Sequence, residues 1–303
     1  MRADLHMHSV FSDGACSPSE LARRVKEAGV SLFSLTDHDN MGGCDEAAEA
    51  ARAQGLRFVR GWEVSSYEGA VKVHVLGYGC KIGREYGDFL KARFEGALVR
   101  AKIMVEKANE YLNLNVTMDE VESYRVRKNA PLHTMHVVSA FARRLSKKKG
   151  DVYQDLFDRG RPAFCVERRP TPLDAINILH RTGGIAVLAH PGRILDLDEA
   201  DVRRYRETQD ERVRNMLKAE SARRRVGLME RLVLAGIDGI ECTYTTHTAQ
   251  ETEAFSDFSR AHGLLETGGS DFHFDGGRNV LGLPEFSVDG ALYERLLQLE
   301  GSV

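Results

Sequence analysis

The chain opens with MRADLHMHSVFSDG, residues 1–14, in which two histidines follow a short apolar run. His6 and His8 are one residue apart, and Asp13 comes five residues later. Side chains two residues apart on a strand point to the same face, so both imidazoles leave the end of a predicted first strand together. This arrangement indicates a metal site at a strand end. The simpler alternative is an N-terminus that carries these polar residues without binding a metal.

The rest of the chain alternates short apolar runs with amphipathic stretches that carry helix caps, such as SPSELARRVKEAG and TPLDAINILHRTGG. We predict strands at 2–6, 30–36, 56–63, 71–77, 185–189, 237–242 and 264–268. Such alternation predicts an α/β fold with a mostly parallel sheet and crossover helices. Seven strands indicate a barrel with one strand fewer than the usual eight.

Two regions interrupt the alternation. Residues 83–170 carry helical patterns without a strong strand, which predicts a helical insertion that caps a barrel formed by residues 1–82 and 171–303. Residues 199–231 are dense in charge, which predicts a long solvated helix or helical hairpin, with a mobile lid as the alternative.

The composition is that of a globular protein, with 42% hydrophobic and 29% charged residues and a net charge of −3. This charge argues against a stable nucleic-acid partner or a membrane surface. No apolar run approaches the roughly 18 residues of a membrane span, and no signal peptide is recognisable. Five scattered cysteines without a C-x-x-C motif favour a reducing compartment, so we expect a cytoplasmic protein.

Chemically active side chains recur where the predicted strands end. His38 follows the second strand in TDHD, His190 follows the fifth in AHPGR, and His273 follows the seventh in SDFH. The C-terminal ends of parallel barrel strands meet on one face, so these side chains should converge. His74 lies inside the fourth strand, but the SSYEGA segment before it is too short for a crossover helix. An antiparallel hairpin would therefore bring His74 close to Glu63.

Seven of the eleven histidines fall on this face, with His247 as the weakest member. The candidate metal ligands are His6, His8, Asp13, His38, Glu63, His74, His190, Asp271 and His273. Nine ligands exceed the capacity of one ion, which predicts two or three ions with a bridging carboxylate. A set of imidazoles and carboxylates without thiolates favours Mn²⁺, Fe²⁺ or Zn²⁺ over Mg²⁺. Asp37 and Asp39 are candidates for supporting these ligands.

In this order, His-x-His, FSDG, TDHD, the glutamate at 63, AHP and SDFH resemble the motifs of the PHP family (polymerase and histidinol phosphatase domains). VHVLGY and the insertion resemble its branch of small bacterial metal-dependent phosphoesterases that act on nucleotides. The resemblance implies a distorted seven-stranded TIM-like barrel and three divalent ions. The implied ligand sets are His6, His8, Glu63 and Asp271 for the first ion, Glu63, His74 and His190 for the second, and Asp13, His38 and His273 for the third.

The resemblance also implies that the insertion contributes groups that reach the substrate phosphate. The nearest equivalents are Arg100, Lys102 and His133, and further candidates outside the insertion are Arg193 and His247. The family often has Gly-Arg-Pro-His in the insertion, whereas this chain reads Ala-Pro-Leu-His at 130–133, so the arginine is missing.

We therefore expect an enzyme that hydrolyses phosphate monoesters of small nucleotides, namely 3',5'-nucleoside bisphosphates, AMP-like compounds or short RNA ends. Hydroxide bound to the ions would be the nucleophile, and no protein base is assigned. The alternatives are a histidinol-phosphate phosphatase, a metal-dependent amidohydrolase and a non-catalytic metal-binding regulatory module. An amidohydrolase would usually use a bridging lysine, for which the chain has no obvious candidate. The intact ligand positions argue against a module without activity.

Overall fold

The computed structural model describes residues 1–69, 71–125, 131–158, 160–166, 169–274, 276 and 279–300. The chain divides into two compact units. One comprises Met1–Tyr86 and Arg169–Val303 and is called the barrel unit, and the other comprises Gly87–Arg168 and is called the helical unit. Neither the predicted domain boundaries nor the predicted capping role of the insertion is tested by this division.

The barrel unit is built on one sheet in the strand order β7-β6-β5-β4-β3-β2-β1-β8. Its strands are β1 (Arg2–Asp4), β2 (Leu32–Leu35), β3 (Arg57–Glu68), β4 (Val71–Tyr78), β5 (Ile185–Leu188), β6 (Gly239–Tyr244), β7 (Leu265–Gly269) and β8 (Phe286–Ser287). The Leu5 N–H donates to Gly268 O at 3.1 Å and the Asp271 N–H donates to His6 O at 2.7 Å, so the chain beyond β1 joins β7. The predicted α/β barrel is confirmed.

Among the described residues, the sheet has one strand more than the sequence predicts. All seven predicted strands are present, and β8 adds two residues that pair antiparallel with β1. A two-residue strand is too short to show a hydrophobic period, which explains why the sequence did not reveal it.

The hairpin that interrupts the parallel order lies where the sequence predicted it. Strand β3 pairs antiparallel with β4, and Ser65 lies opposite His74. Strand β4 in turn pairs antiparallel with β5, whereas β1–β2–β3 and β5–β6–β7 are parallel. His74 is therefore brought to the same end of the barrel as the loops that follow β1, β2, β5 and β7.

Helices cover the outside of the barrel and bury its apolar side chains. The helices of the barrel unit are α1 (Pro18–Glu27), α2 (Cys44–Gln54), α7 (Pro172–Arg181), α8 (Glu199–Glu207), α9 (Glu211–Leu234), α10 (Ala249–His262) and α11 (Gly290–Glu300). Ser17 and Thr171 cap α1 and α7 by accepting N–H bonds from Glu20 and Asp174, as their capping patterns predict. Strand residues such as Leu32 form a core together with residues of α11.

The helical unit has a core of its own. It contains most of α3 (Arg84–Leu112), with α4 (Met118–Glu122), α5 (Thr134–Leu145), α6 (Lys149–Val152) and a π-helical turn at Tyr153–Phe157. Apolar side chains of these helices, including Met104, Val121 and Phe141, pack together. No strand occurs among its described residues, which agrees with the helical pattern of the sequence.

The charged stretch forms two helices, α8 and α9, rather than one. One face of α9 is buried through Leu217, Leu228 and Arg225, whose guanidinium donates to Pro191 O at 2.8 Å. The second helix is therefore packed against the barrel through one face instead of being wholly solvated. A lid function for this stretch stays a prediction. Among the described helices, none combines the length and the apolar character needed to cross a bilayer.

Candidate metal centre

The nine candidate ligands gather at one end of the barrel. Most of them lie at or just after the C-terminal ends of strands, and His74 reaches the same place through the hairpin. They surround a cavity of about 280 Å³, whose walls include Asp13, His38, Glu63, Lys72, His74, His190, Arg193, Ile194, Asp271 and His273. His6 and His8 lie fully buried beside these residues.

Four side chains form the innermost group: His6, His8, Glu63 and Asp271. The Nε2 atoms of His6 and His8 both lie 3.5 Å from Glu63 Oε2, and they lie 3.4 and 3.0 Å from Asp271 Oδ1. Both Nε2 atoms and Glu63 Oε2 lack an aligned hydrogen bond with any described residue, although all three are buried. Buried polar atoms normally have partners, so these atoms fit ligands that share a cation.

Glu63 joins this group to the neighbouring histidines. Its Oε1 lies 2.7 Å from His74 Nδ1 and 3.1 Å from His190 Nε2, and its Oε2 lies 2.8 Å from His38 Nδ1. Burial alone would raise the pKa of the Glu63 carboxyl, but His74, His38 and His6 together hold it well below its usual value. A carboxylate with imidazoles on both oxygens is suited to bridge two cations.

A shallower group is formed by Asp13, His38 and His273. His273 Nε2 lies 3.3 Å from Asp13 Oδ1, and His38 Nε2 lies 3.8 Å from Asp13 Oδ2. The Asp13 side chain is 57% exposed, in contrast to the fully buried Glu63. Gly14 permits this turn, because a Cβ atom there would lie 2.2 Å from His8 O.

Two of the candidate ligands have unusual backbone conformations. His190 has φ 29° and Asp271 has φ 53°, in the left-handed region that non-glycine residues rarely adopt. Such strain persists where the surroundings fix the conformation, and it concentrates at functional sites.

Comparison with known proteins shows to which family the chain belongs. The PHP domain pattern matches residues 4–147. A 3',5'-nucleoside bisphosphate phosphatase of Chromobacterium violaceum is 32% identical, over 91% of this chain and 90% of its own length. The chain belongs to the PHP family. The resemblance drawn from the sequence motifs is thereby confirmed.

Other relatives span similar lengths of this PHP chain. A phosphoribosyl 1,2-cyclic phosphate 1,2-diphosphodiesterase of Eggerthella lenta is 29% identical over 92% of the chain and 96% of its own length. A solved structure of an amidohydrolase from Chromobacterium violaceum, with bound sulfate and no metal, is 27% identical, covers 99% of this chain and 97% of its own, and has a TM-score of 0.70. A structure from Bifidobacterium adolescentis, 24% identical over 98% of this chain and 96% of its own, has the same fold with a TM-score of 0.70.

Glu241 is the clearest residue of this PHP site that the sequence did not reveal. It is fully buried on β6, its Oε1 lies 2.9 Å from His6 Nδ1, and its Oε2 accepts the His190 N–H at 2.6 Å. A proton held on Nδ1 by Glu241 leaves His6 Nε2 free to face the innermost group. The sequence signal that could have revealed Glu241 is a glutamate inside an otherwise apolar strand.

Asp37 and Asp39 have the supporting contacts expected of them. Asp37 accepts hydrogen bonds from the Ser9 N–H and hydroxyl at 2.7 and 2.6 Å and from the Ser12 hydroxyl at 2.6 Å, which fixes the loop after β1. Asp39 accepts the Ser65 N–H at 2.9 Å. Both carboxylates thus hold loops that carry candidate ligands.

Two cations border the cavity, and one of them is hydrogen-bonded to a tyrosine. Arg193 Nη1 donates to Asp271 Oδ2 at 3.0 Å and to the Tyr244 hydroxyl at 2.7 Å, and that hydroxyl donates to Asp271 Oδ2 at 2.8 Å. Lys72 also lines the cavity, and partial burial lowers the pKa of its ammonium group. Lys72 and His74 are two residues apart on β4, so strand periodicity was the signal that could have revealed the lysine.

The remaining predicted substrate contacts have different surroundings. His247 Nδ1 lies 2.9 Å from Cys242 O and its Nε2 accepts the Gly192 N–H at 3.1 Å, so both ring nitrogens are engaged with backbone. This favours a role in holding the loop after β5, and a direct substrate contact stays a prediction. The other three predicted contacts lie in the helical unit. Arg100 donates to the Thr134 hydroxyl, and Lys102 and His133 are exposed. Residue 130, the first of the Ala-Pro-Leu-His stretch, lies outside the described residues.

Proposed function

We propose that this PHP-family chain is a metal-dependent phosphoesterase that removes phosphate from small nucleotides. The observation that carries the proposal is the buried convergence of His6, His8, Glu63 and Asp271, whose facing atoms lie 3.0–3.5 Å apart. Repulsion between the two buried carboxylates and the loss of hydration of all four side chains raise the free energy of such a cluster, unless a cation lies at its centre.

The donor chemistry supports more than one ion. Atoms of four overlapping groups come close enough to share a cation, and each group mixes imidazole with carboxylate. The groups are His6, His8 and Asp271; His6, Glu63 and His190; His38, Glu63 and His74; and His8, Asp13, His38 and His273. We propose three ions, held by the ligand sets that the PHP resemblance implies, and Mn²⁺, Fe²⁺ or Zn²⁺ as their identity.

Divalent ions bound here would supply Lewis acidity and a hydroxide nucleophile at neutral pH. The protein's own part is to hold the phosphate and keep the ligands in place. Arg193 and Lys72 lie at the cavity, where their charges would bind phosphoryl oxygens by charge-assisted hydrogen bonds. Glu241 would keep the His6 proton on Nδ1 throughout turnover.

Nucleotides are the substrate class that we favour over histidinol phosphate. The support is the relative from Chromobacterium violaceum, which is named for nucleoside bisphosphates and matches nine-tenths of this chain. The relative from Eggerthella lenta is named for a cyclic phosphate of ribose, which is also a phosphorylated sugar. Contacts from Arg100, Lys102 and His133 to the substrate belong to the same proposal.

The test compares chelated and metal-reloaded protein on a panel of phosphate esters. The panel contains adenosine 3',5'-bisphosphate, AMP, a short 5'-phosphorylated RNA and histidinol phosphate, with metal content measured by elemental analysis. We expect activity to disappear on chelation, to return with Mn²⁺, and to favour a nucleotide over histidinol phosphate. Full activity in chelated protein would refute the metal mechanism, and preference for histidinol phosphate would refute the substrate class. Less than one ion per chain after reloading would favour a non-catalytic module.

A further inference from the structure

A second cavity of about 340 Å³ adjoins the metal-facing cavity in the barrel unit. The two cavities share three wall residues, Arg193, Asp271 and His273. The second one, which we call the side cavity, is completed by Tyr244, Thr246, Phe274 and Asn279. A molecule anchored at the candidate ligands could therefore extend into the side cavity without leaving the barrel unit.

The two cavities differ in chemistry. The metal-facing cavity is lined by imidazoles, carboxylates and two cations, which suit a charged phosphoryl group. Beyond the three shared residues, the described residues that line the side cavity have neutral side chains. The side cavity is thus suited to a neutral group with polar edges rather than to a second phosphate.

Phe274 gives the side cavity an aromatic wall directly after His273. Its side chain is 52% exposed. A single exposed apolar residue needs no explanation by itself, but this ring stands at the edge of a cavity that continues the site. Asn279 lies on the same wall, where its Nδ2 donates to Asp271 O at 2.7 Å and so fixes the amide. An aromatic ring with a fixed amide nearby is suited to a planar heterocycle, which stacks on one and hydrogen-bonds to the other.

We propose that the side cavity receives the nucleobase of the substrate and that Phe274 stacks on it as a specificity-determining residue. The inference rests on the proposed nucleotide phosphatase activity. Stacking is tolerant of base identity because every base has a flat face, so Phe274 would favour nucleotides over sugar phosphates without selecting one base.

The experiment measures kcat/KM of the metal-loaded full chain on AMP and on ribose 5-phosphate, which lacks the base. In Phe274→Ala we expect the ratio of the two values to fall about tenfold, as loss of one stacking contact predicts. Phe274→Tyr should restore most of the ratio, since it keeps the ring. Leu234→Ala, at an 89% exposed position on α9, is the matched control and should leave the ratio as in the wild type. Calorimetric titration of the chelated protein with AMP, which should not be hydrolysed there, gives a second readout, in which Phe274→Ala should weaken binding by a similar factor.

The outcomes separate the subsite from the activity. Hydrolysis of both esters with an unaltered ratio in Phe274→Ala, and AMP binding equal to that of the wild type, would overturn the subsite and leave the phosphatase proposal standing. An equal loss on both esters would also overturn it, since that result means that the variant disturbs His273 rather than the base. No hydrolysis of either ester, or of any nucleotide in the panel above, by the metal-loaded wild type would overturn the proposed function and, with it, the subsite.

Discussion

Burial acts to lower the pKa of both His38 in the barrel unit and His136 in the helical unit, but their neighbours move the two pKa values to opposite sides of the usual one. Burial acts to lower the pKa of His38 at the barrel cavity, but Glu63 and Asp13 outweigh it and raise that pKa to about 9. Burial also lowers the pKa of His136 in the helical unit, and there His133 and Arg125 add to the effect, so the pKa falls to about 4. Carboxylates close to both nitrogens of His38 make the difference.

The contrast shows how a ligand cluster can be told from a structural histidine. The barrel imidazoles share carboxylates and leave buried nitrogens without aligned partners among the described residues, an arrangement that fits ligands of a shared cation. His136 Nδ1 instead accepts the His133 N–H at 2.9 Å, which satisfies a free donor at the start of α5. The sequence shows His133 and His136 one helical turn apart, which favours packing or a surface position for His136, and the contact with the His133 N–H shows that it supports the start of α5.

The largest expected effect is that of removing the shared carboxylate. Glu63→Gln removes the negative charge that the barrel imidazoles share. The imidazoles around it would then lose the carboxylate that counters the effect of burial on their pKa values, and in this respect they would resemble His136. We expect kcat/KM to fall on the order of a thousandfold, because both cation positions that Glu63 joins are lost. Elemental analysis of the purified variant should show fewer ions per chain than the wild type.

The matched control for this change is Glu68→Gln on the same strand. Glu68 is partly exposed, and its carboxylate pairs with Arg231 on the surface. It should retain wild-type activity and metal content. If Glu63→Gln kept its ions and its rate, the contrast between the two regions would have no functional meaning.

We expect a smaller effect from Glu241→Gln. This variant keeps every candidate ligand, so it tests the contacts that support the barrel ligands separately from the ligands themselves. Glu241 accepts from both His6 and His190, whereas glutamine offers one oxygen and one N–H₂ group, so one of these bonds is lost. We expect metal affinity to fall by about 10- to 100-fold. At saturating Mn²⁺ the rate should recover to within a few-fold of the wild type. Metal titration followed by activity measures both values.

Glu266→Gln on β7 is the control for this residue, since Glu266 contacts Ser256 near the surface. It should leave the metal titration unaltered. A Glu241→Gln variant with the metal affinity of the wild type would mean that His6 needs no partner to present Nε2.

Sequence patterns predicted the parts of the site that depend on local spacing. His-x-His and TDHD follow recognisable strands, and the short link before β4 was enough to predict the pairing of His74 with Glu63. Glu241 and Lys72 were missed, because each stands alone in a strand and gains its meaning only from distant partners. The direction of the pKa shift at His38 likewise depends on a residue distant in sequence, Glu63.

The smallest expected effect concerns pH and the helical unit alone. The pKa of His136 is about 4 in the folded chain and near 6.5 when unfolded, so its stabilising contribution is complete above pH 6.5 and is lost as the pH falls through about 4. The charged or titratable groups around it are His133, Arg125, Glu122 and Lys149.

A protonated Nδ1 cannot accept the His133 N–H, so the start of α5 should loosen on acidification. Loss of such a cap costs about 1 kcal/mol, which corresponds to about fivefold faster amide exchange in α5 below pH 4 than the intrinsic pH effect predicts. His136→Gln keeps an acceptor that does not titrate, so its α5 exchange should follow the intrinsic pH dependence. His262→Gln, at an exposed position on α10, should behave as the wild type does. Hydrogen exchange read separately for residues 134–145 removes the titration of the barrel histidines from the comparison, and identical acid sensitivity in His136→Gln and the wild type would show that the cap is not the cause.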